Sequence, residues 1–297
     1  MQLGIIYSLS ASALFGGMYY LATLLRPLSG ESLFGIRMVV TLPFLFFAIF
    51  VLKKQHEFFA FAKRLKQQPH LILVILITSA IVGSQMWLFL WAPNSGKALE
   101  VSMGYLLMPI VMVAFGRLVY KESLSRVKWL AIIFATLGVL NSVIFAGGIS
   151  WEGVFVFVGY PAYFHIRRKF QLSNIYSFVF EIMCLIPISL YFIWNTDMDF
   201  IYAQNPNIYY FIAILSVVSG SALLSYTLAS TILPFNVLGL LGYLEPTFMM
   251  MISFLIGERL DPNSYFLMTC LVIAVLFLIL DGIFSIRKQR KKVTVEN

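Results

Sequence analysis

Ten apolar stretches long enough to cross a bilayer run through the chain, and they limit its fold more than any single residue does. They cover roughly 3–25, 32–52, 71–91, 98–118, 127–146, 152–166, 173–194, 208–229, 235–256 and 263–285, the sixth being short and interrupted by Pro161. A hydrocarbon layer ~30 Å thick takes about 20 apolar residues as a helix. Backbone groups in lipid must be satisfied within the segment, so runs of this length predict helices. Only 11% of the residues are charged, against about 25% in a soluble domain. The expected class is an all-α polytopic membrane protein with ten transmembrane helices.

The loops supply an independent test. Alternate loops and the C-terminal tail hold 17 of the 21 basic residues, in the groups Lys53 to Lys66, Arg117 to Lys128, Arg167 to Lys169 and Arg287 to Lys292. The opposite loops hold only Arg26, Lys97 and Arg259. Lys/Arg excess marks cytoplasmic loops, which predicts both termini in the cytoplasm. The one basic residue left over is Arg37, inside the second stretch. The net charge of +8 is thus a topology signal, and no basic, aromatic-interleaved soluble domain offers a nucleic-acid surface. The first apolar run has no Lys or Arg before it and is read as the first helix rather than a cleaved signal.

Several positions recur at a fixed offset. Ser79, Gly83, Ser84, Ala92 and Pro109 match Ser216, Gly220, Ser221, Ala229 and Pro246, each 137 residues later. Arg37 precedes Pro43 by six residues, as Glu181 precedes Pro187, at an offset of 144. The chain therefore reads as two five-helix halves, 1–147 and 148–286, followed by a basic cytoplasmic tail, 287–297. An odd number of spans per half makes the repeats inverted, the arrangement of secondary transporters with a site at mid-membrane.

Glu245 lies ten residues into the ninth stretch, which places it near the bilayer centre if that stretch is one helix. A charge there costs ~2.5–3.5 kcal/mol even on insertion scales and should face a cavity or a partner.

The segment Tyr243-Leu244-Glu245-Pro246, followed by Gly257-Glu258-Arg259-Leu260, resembles the closing signature of the EamA-type drug/metabolite transporter superfamily. Trp87 through Asn94, Leu99-Glu100, Ser102, Gly104-Tyr105 and Pro109 look more narrowly like its RarD branch, as do Leu33 to Arg37, Arg167-Arg168-Lys169 and Leu280-Asp281-Gly282. Glu245 follows the broader superfamily, and Pro93 stands where the branch commonly has a second Asn. The resemblance implies a ten-helix inverted repeat that moves small metabolites or drugs, usually outward, across the bacterial inner membrane.

The candidate binding or coupling residues are Glu245, Arg37, Glu181, Trp87, Gln85, Tyr226, Ser219, Tyr243 and Tyr105. Glu245 could titrate protons or face a cationic group; the competing reading is a protonated structural Glu. Arg37 could take a substrate carboxylate or phosphate or snorkel to the headgroups. Trp87 could stack on a substrate or anchor at the interface. Ser219 and Tyr226, seven apart, share a helix face. Pro43, Pro109, Pro187 and Pro246 are expected as hinges or kinks.

Cys184 and Cys270 fall inside apolar runs and His56, His70 and His165 near span ends, so no metal site, disulfide or cofactor is expected. No P-loop, G-x-S-x-G or H-E-x-x-H motif occurs, which argues against an enzyme. The leading function is a secondary active exporter of a small polar or zwitterionic metabolite or amphipathic drug, working by alternating access with protons as a coupling ion. A lipid-head-group flippase or receptor-like module is the alternative. The expected partners are a small-molecule substrate, the lipid bilayer and protons, with no nucleic acid.

Overall fold

The computed structural model describes residues 2–121, 124–145, 149–233, 237–238 and 241–295, with side chains over the same stretches except 231 and 285–295. Twelve α-helices and no strand occur among the described residues. They are α1 (Gln2–Leu24), α2 (Gly30–Val51), α3 (Gln55–Gln67), α4 (His70–Trp91), α5 (Ala98–Tyr120), α6 (Arg126–Phe145), α7 (Trp151–Lys169), α8 (Ile175–Trp194), α9 (Met198–Gln204), α10 (Ile208–Ile232), α11 (Leu244–Leu255) and α12 (Tyr265–Val295).

Eight of them, α1, α2, α4, α5, α6, α8, α10 and α12, are long and apolar enough to cross a membrane. The expected sixth stretch forms α7, but Glu152 in its first turn and Arg167, Arg168 and Lys169 in its last make it too polar for that group. The expected ninth stretch is not one continuous helix. Leu241 is helical, Gly242 and Tyr243 turn, and α11 then starts afresh with Glu245 in its first turn. At 12 residues α11 is ~18 Å long, too short to cross alone.

The helix ends follow local chemistry. Ser29, Ser150 and Asn174 accept from Ser32 N, Gly153 N and Ser177 N and so cap α2, α7 and α8. Pro43, Pro109 and Pro187 lie inside α2, α5 and α8. Pro246 does not. It sits in the first turn of α11, where its missing N–H leaves no bond unmade.

Two helices escaped the apolar reading. Helix α3 buries Phe61 and Leu65 while exposing Lys63 and Lys66, an amphipathic pattern in a stretch read only as a basic loop. Helix α9 is a short, Asp197-capped turn between α8 and α10.

The most extensive packings are α1 on α10, α6 on α12, α2 on α8 and α5 on α7. They are close. A methyl group added at Gly104 of α5 would lie 2.8 Å from the Gly153 carbonyl oxygen of α7, the near approach that small residues allow in membrane bundles. A large apolar cluster joins Met18, Tyr19 and Ala22 of α1 to Phe89 of α4, Tyr105 of α5, Val156 of α7, Leu215 of α10 and Met249 of α11. Tyr105 belongs to this cluster and Trp87 packs against it.

Candidate functional site

Helices α2, α4, α5, α7, α10 and α11 bring one group of polar and aromatic side chains together. Arg37 of α2 is only 5% exposed, so it does not snorkel to the headgroups. Its guanidinium carbon lies 5.3 Å from the ring centre of Phe89 on α4, a cation–π placement. Phe89 meets Tyr105 of α5 with ring centres 6.2 Å apart. The Tyr105 hydroxyl is hydrogen-bonded to that of Tyr160 on α7 at 2.9 Å. Glu245, in the first turn of α11, faces the same group. It is within electrostatic reach of Arg37, Tyr105, Tyr160 and Tyr226.

The charges in this group are not neutralised by contact. Among the described residues the ion pairs are Lys54–Glu57, Lys97–Glu100, Lys128–Asp281 and Arg167–Glu181. Arg37 and Glu245 therefore stand apart while each feels the other. Three buried side-chain atoms lack any hydrogen-bond partner among the described residues, and they are Arg37 Nε, Arg37 Nη1 and Gln85 Oε1. Orphaned buried donors and acceptors are rare in folded proteins, and each calls for a cause.

The other predicted residues separate. Glu181 of α8 is fully buried and saturated. It takes a salt bridge from Arg167 at 2.7 Å and hydrogen bonds from Thr78 and Tyr163, each at 2.7 Å. Arg167 also donates to the carbonyls of Leu172 and Asn174 and to the Ser177 hydroxyl. Trp87 donates its indole N–H to Glu31 at 3.2 Å and packs on Trp91. Ser219 bonds Thr41 across the α2–α10 contact at 3.2 Å, and Tyr226, on the same helix, is half-exposed near Glu245. Tyr243 packs into the apolar cluster of Leu106, Leu107 and Ile110 with Leu267 and Leu271. Of the nine candidates, Arg37, Tyr105, Tyr226 and Glu245 belong to one group, and Gln85 lies one helical turn from Phe89 on α4.

Sequence reasoning missed Phe89 and Tyr160, which complete the aromatic wall, and Arg167, which it placed in a loop. Pro161, used there only to mark the sixth stretch as weak, also flags Tyr160 as a residue beside a helix interruption.

Comparison with known proteins follows this geometry. Residues 2–144 match the EamA-like transporter family. The chain is 47% identical over 282 residues to an uncharacterised transporter of Haemophilus influenzae, covering 95% of each. It is 31% identical to the chloramphenicol-sensitive protein RarD of Pseudomonas aeruginosa over 97% of each chain. A solved crystal structure matches with a TM-score of 0.56 at 13% identity, covering 94% of this chain and 97% of that one. At that identity the likeness is one of fold.

Proposed function

The chain belongs to the EamA-like transporter family, in its RarD-like branch, and from that premise we propose that it exports a small zwitterionic or polar metabolite by alternating access. It is a multi-pass inner-membrane transporter; the substrate, the outward direction and the coupling are our reading. The observation that carries it is the pair Arg37 and Glu245, opposite charges on different halves that face one aromatic-walled group without contact. A zwitterion bridges such a pair, its carboxylate on Arg37 and its cationic group on Glu245. A proton competes with that cationic group for Glu245, so loading and protonation alternate.

We read α7 and α11 as parts of the sixth and ninth crossings of two inverted five-helix repeats with cytoplasmic termini; residues 235–236 and 239–240 of the expected ninth stretch lie outside the described residues. The packing supports this reading. Exchange α1, α2, α4, α5, α6 in order with α7, α8, α10, α11, α12. The contacts α6–α12, α2–α8 and α5–α11 return to themselves, while α1–α10 exchanges with α4–α7, α5–α7 with α1–α11, and α2–α10 with α4–α8, all of which occur. The exchange is unequal, because α1 packs far more extensively on α10 than α4 does on α7. Unequal packing of matched interfaces is what one of two alternating states requires.

The test uses purified protein in liposomes under an imposed pH gradient, with a mixed metabolite pool read by mass spectrometry. Gradient-driven accumulation of one solute class, abolished in Glu245→Gln, is expected. Gradient-independent transport with a normal Glu245→Gln variant ends the coupling reading, and the absence of any transport by folded protein favours a flippase.

A further inference from the structure

We propose that Gln85 acts with Arg37 as a specificity determinant, so that the preferred carboxylate carries a hydrogen-bond donor on its neighbouring carbon. The favoured class is then α-hydroxy or α-amino acids rather than plain carboxylates. The inference rests on the reading of the Arg37–Glu245 group as the substrate site.

Gln85 is 1% exposed. Its amide nitrogen donates to the Phe155 carbonyl of α7 at 2.7 Å. That bond fixes the amide, because turning it over would set oxygen against oxygen. The free atom is therefore an acceptor, Oε1, buried and unpartnered among the described residues. Gln85 and Phe89 are one turn apart on one face of α4. The Arg37 guanidinium carbon lies 5.3 Å from the Phe89 ring centre. An unpaired donor thus lies over Phe89, and an unpaired acceptor belongs to the residue one helical turn before it. A carboxylate on Arg37 satisfies the donor, and an adjacent O–H or N–H satisfies Gln85 Oε1. A plain carboxylate leaves Gln85 orphaned, and a site built around a hydrogen bond discriminates strongly against a ligand that lacks it. The α-hydroxy acid is the diagnostic case, because its uncharged hydroxyl gives Glu245 no cation to hold.

The experiment measures binding of 3-phenylpropionate and 3-phenyllactate, which differ by one hydroxyl, to the full chain in lipid nanodiscs. Phenyllactate is expected to bind at least tenfold more tightly, and Gln85→Leu is expected to shrink the gap below about twofold. Gly159→Ala provides a second variant, because a methyl group there would lie 2.0 Å from Gln85 Nε2, the flexible end of a side chain. It displaces the amide with the α7 backbone in place, and the gap should shrink again. Equal affinity for the two acids, with binding lost in Arg37→Met, overturns the role of Gln85 and leaves the substrate-site reading standing. A gap that persists in folded Gly159→Ala or Gln85→Leu overturns it too. Failure of both acids to bind, or binding indifferent to Arg37→Met, overturns the substrate-site reading and this inference with it.

Discussion

Arg167 and Glu181 meet at 2.7 Å within a net of further hydrogen bonds, whereas Arg37, buried, and Glu245, partly exposed, lie among the same kinds of helices and form no ion pair among the described residues. Glu181 occupies the position that the 144-residue offset assigns opposite Arg37. The sequence offset thus matches an unsaturated charge with a saturated one. The saturated pair ties α7 to α8 and, through Thr78 and Ser79, to α4. The unsaturated pair is free to hold something from outside the chain. A buried charge is therefore informative about function only when its partners have been counted.

The largest effect that can break this contrast is at Glu181. Removing one member of a buried ion pair strands the other, at about 3–5 kcal/mol. Glu181→Ala and Arg167→Ala should each lower detergent-solubilised stability by that amount in thermal or denaturant unfolding. A loss below about 1 kcal/mol would mean that the net is not structural.

Arg37 should respond with the opposite sign. Two of its guanidinium nitrogens have given up water without a hydrogen-bond partner, so replacing it with an apolar side chain recovers that desolvation and should be neutral or stabilising. Arg37→Met should melt no lower than the parent protein while transport in liposomes is lost. Destabilisation like that of Arg167→Ala would collapse the distinction.

The sequence exposed these two sites unequally, for physical reasons. Arg37 was legible because the alternation of basic loops accounts for every other Lys and Arg, leaving one within an apolar stretch. Arg167 was hidden by the same rule. Standing beside Arg168 and Lys169 it looks like a loop cation, yet α7 continues to Lys169 and turns Arg167 inward, 7% exposed. Eight spans were readable from hydropathy because each is continuous. The break at Gly242–Tyr243 was not, because both residues suit an apolar run. Pro246 signalled a disturbance there, but its place in a first turn depends on where α11 begins. Helix α3 was readable only by its 3.6-residue period, since its composition is that of a polar loop.

A smaller effect sharpens the central site. The Tyr105–Tyr160 hydroxyl bond at 2.9 Å joins α5 to α7, and such a bond contributes about 0.5–1.5 kcal/mol. Tyr160→Phe should lower stability by that amount and leave the Arg167 net untouched. Combined with Glu181→Ala it should be additive within about 0.5 kcal/mol, as for sites without shared partners. A larger coupling would make the two regions one unit.

Glu258 gives the smallest effect and a third way of holding an acid. Its carboxylate accepts from the backbone N–H groups of Ala98 at 2.8 Å and Leu99 at 2.6 Å, so an acid from the second half closes the N-terminus of α5 in the first. Burial nevertheless holds its carboxyl above the usual carboxylate range, against the two backbone donors that favour the charged form. A carboxyl raised in this way binds its proton more tightly in the folded chain than in the unfolded one. Its contribution to stability is therefore full below the unfolded value, ~4.3, and is lost as pH rises through the folded value. Glu258 also lines a cleft of about 320 Å³ open to solvent, which weakens the effect. Stability measured from pH 4 upward should fall through this window in the parent protein and less steeply in Glu258→Gln. At neutral pH Glu258→Ala should cost about 1 kcal/mol, the usual worth of a helix cap. Identical pH profiles for the parent and Glu258→Gln would show that the backbone donors fully offset burial. Glu258 would then belong with the satisfied charge of Glu181, and Glu245 would be left as the acid held without a donor of its own.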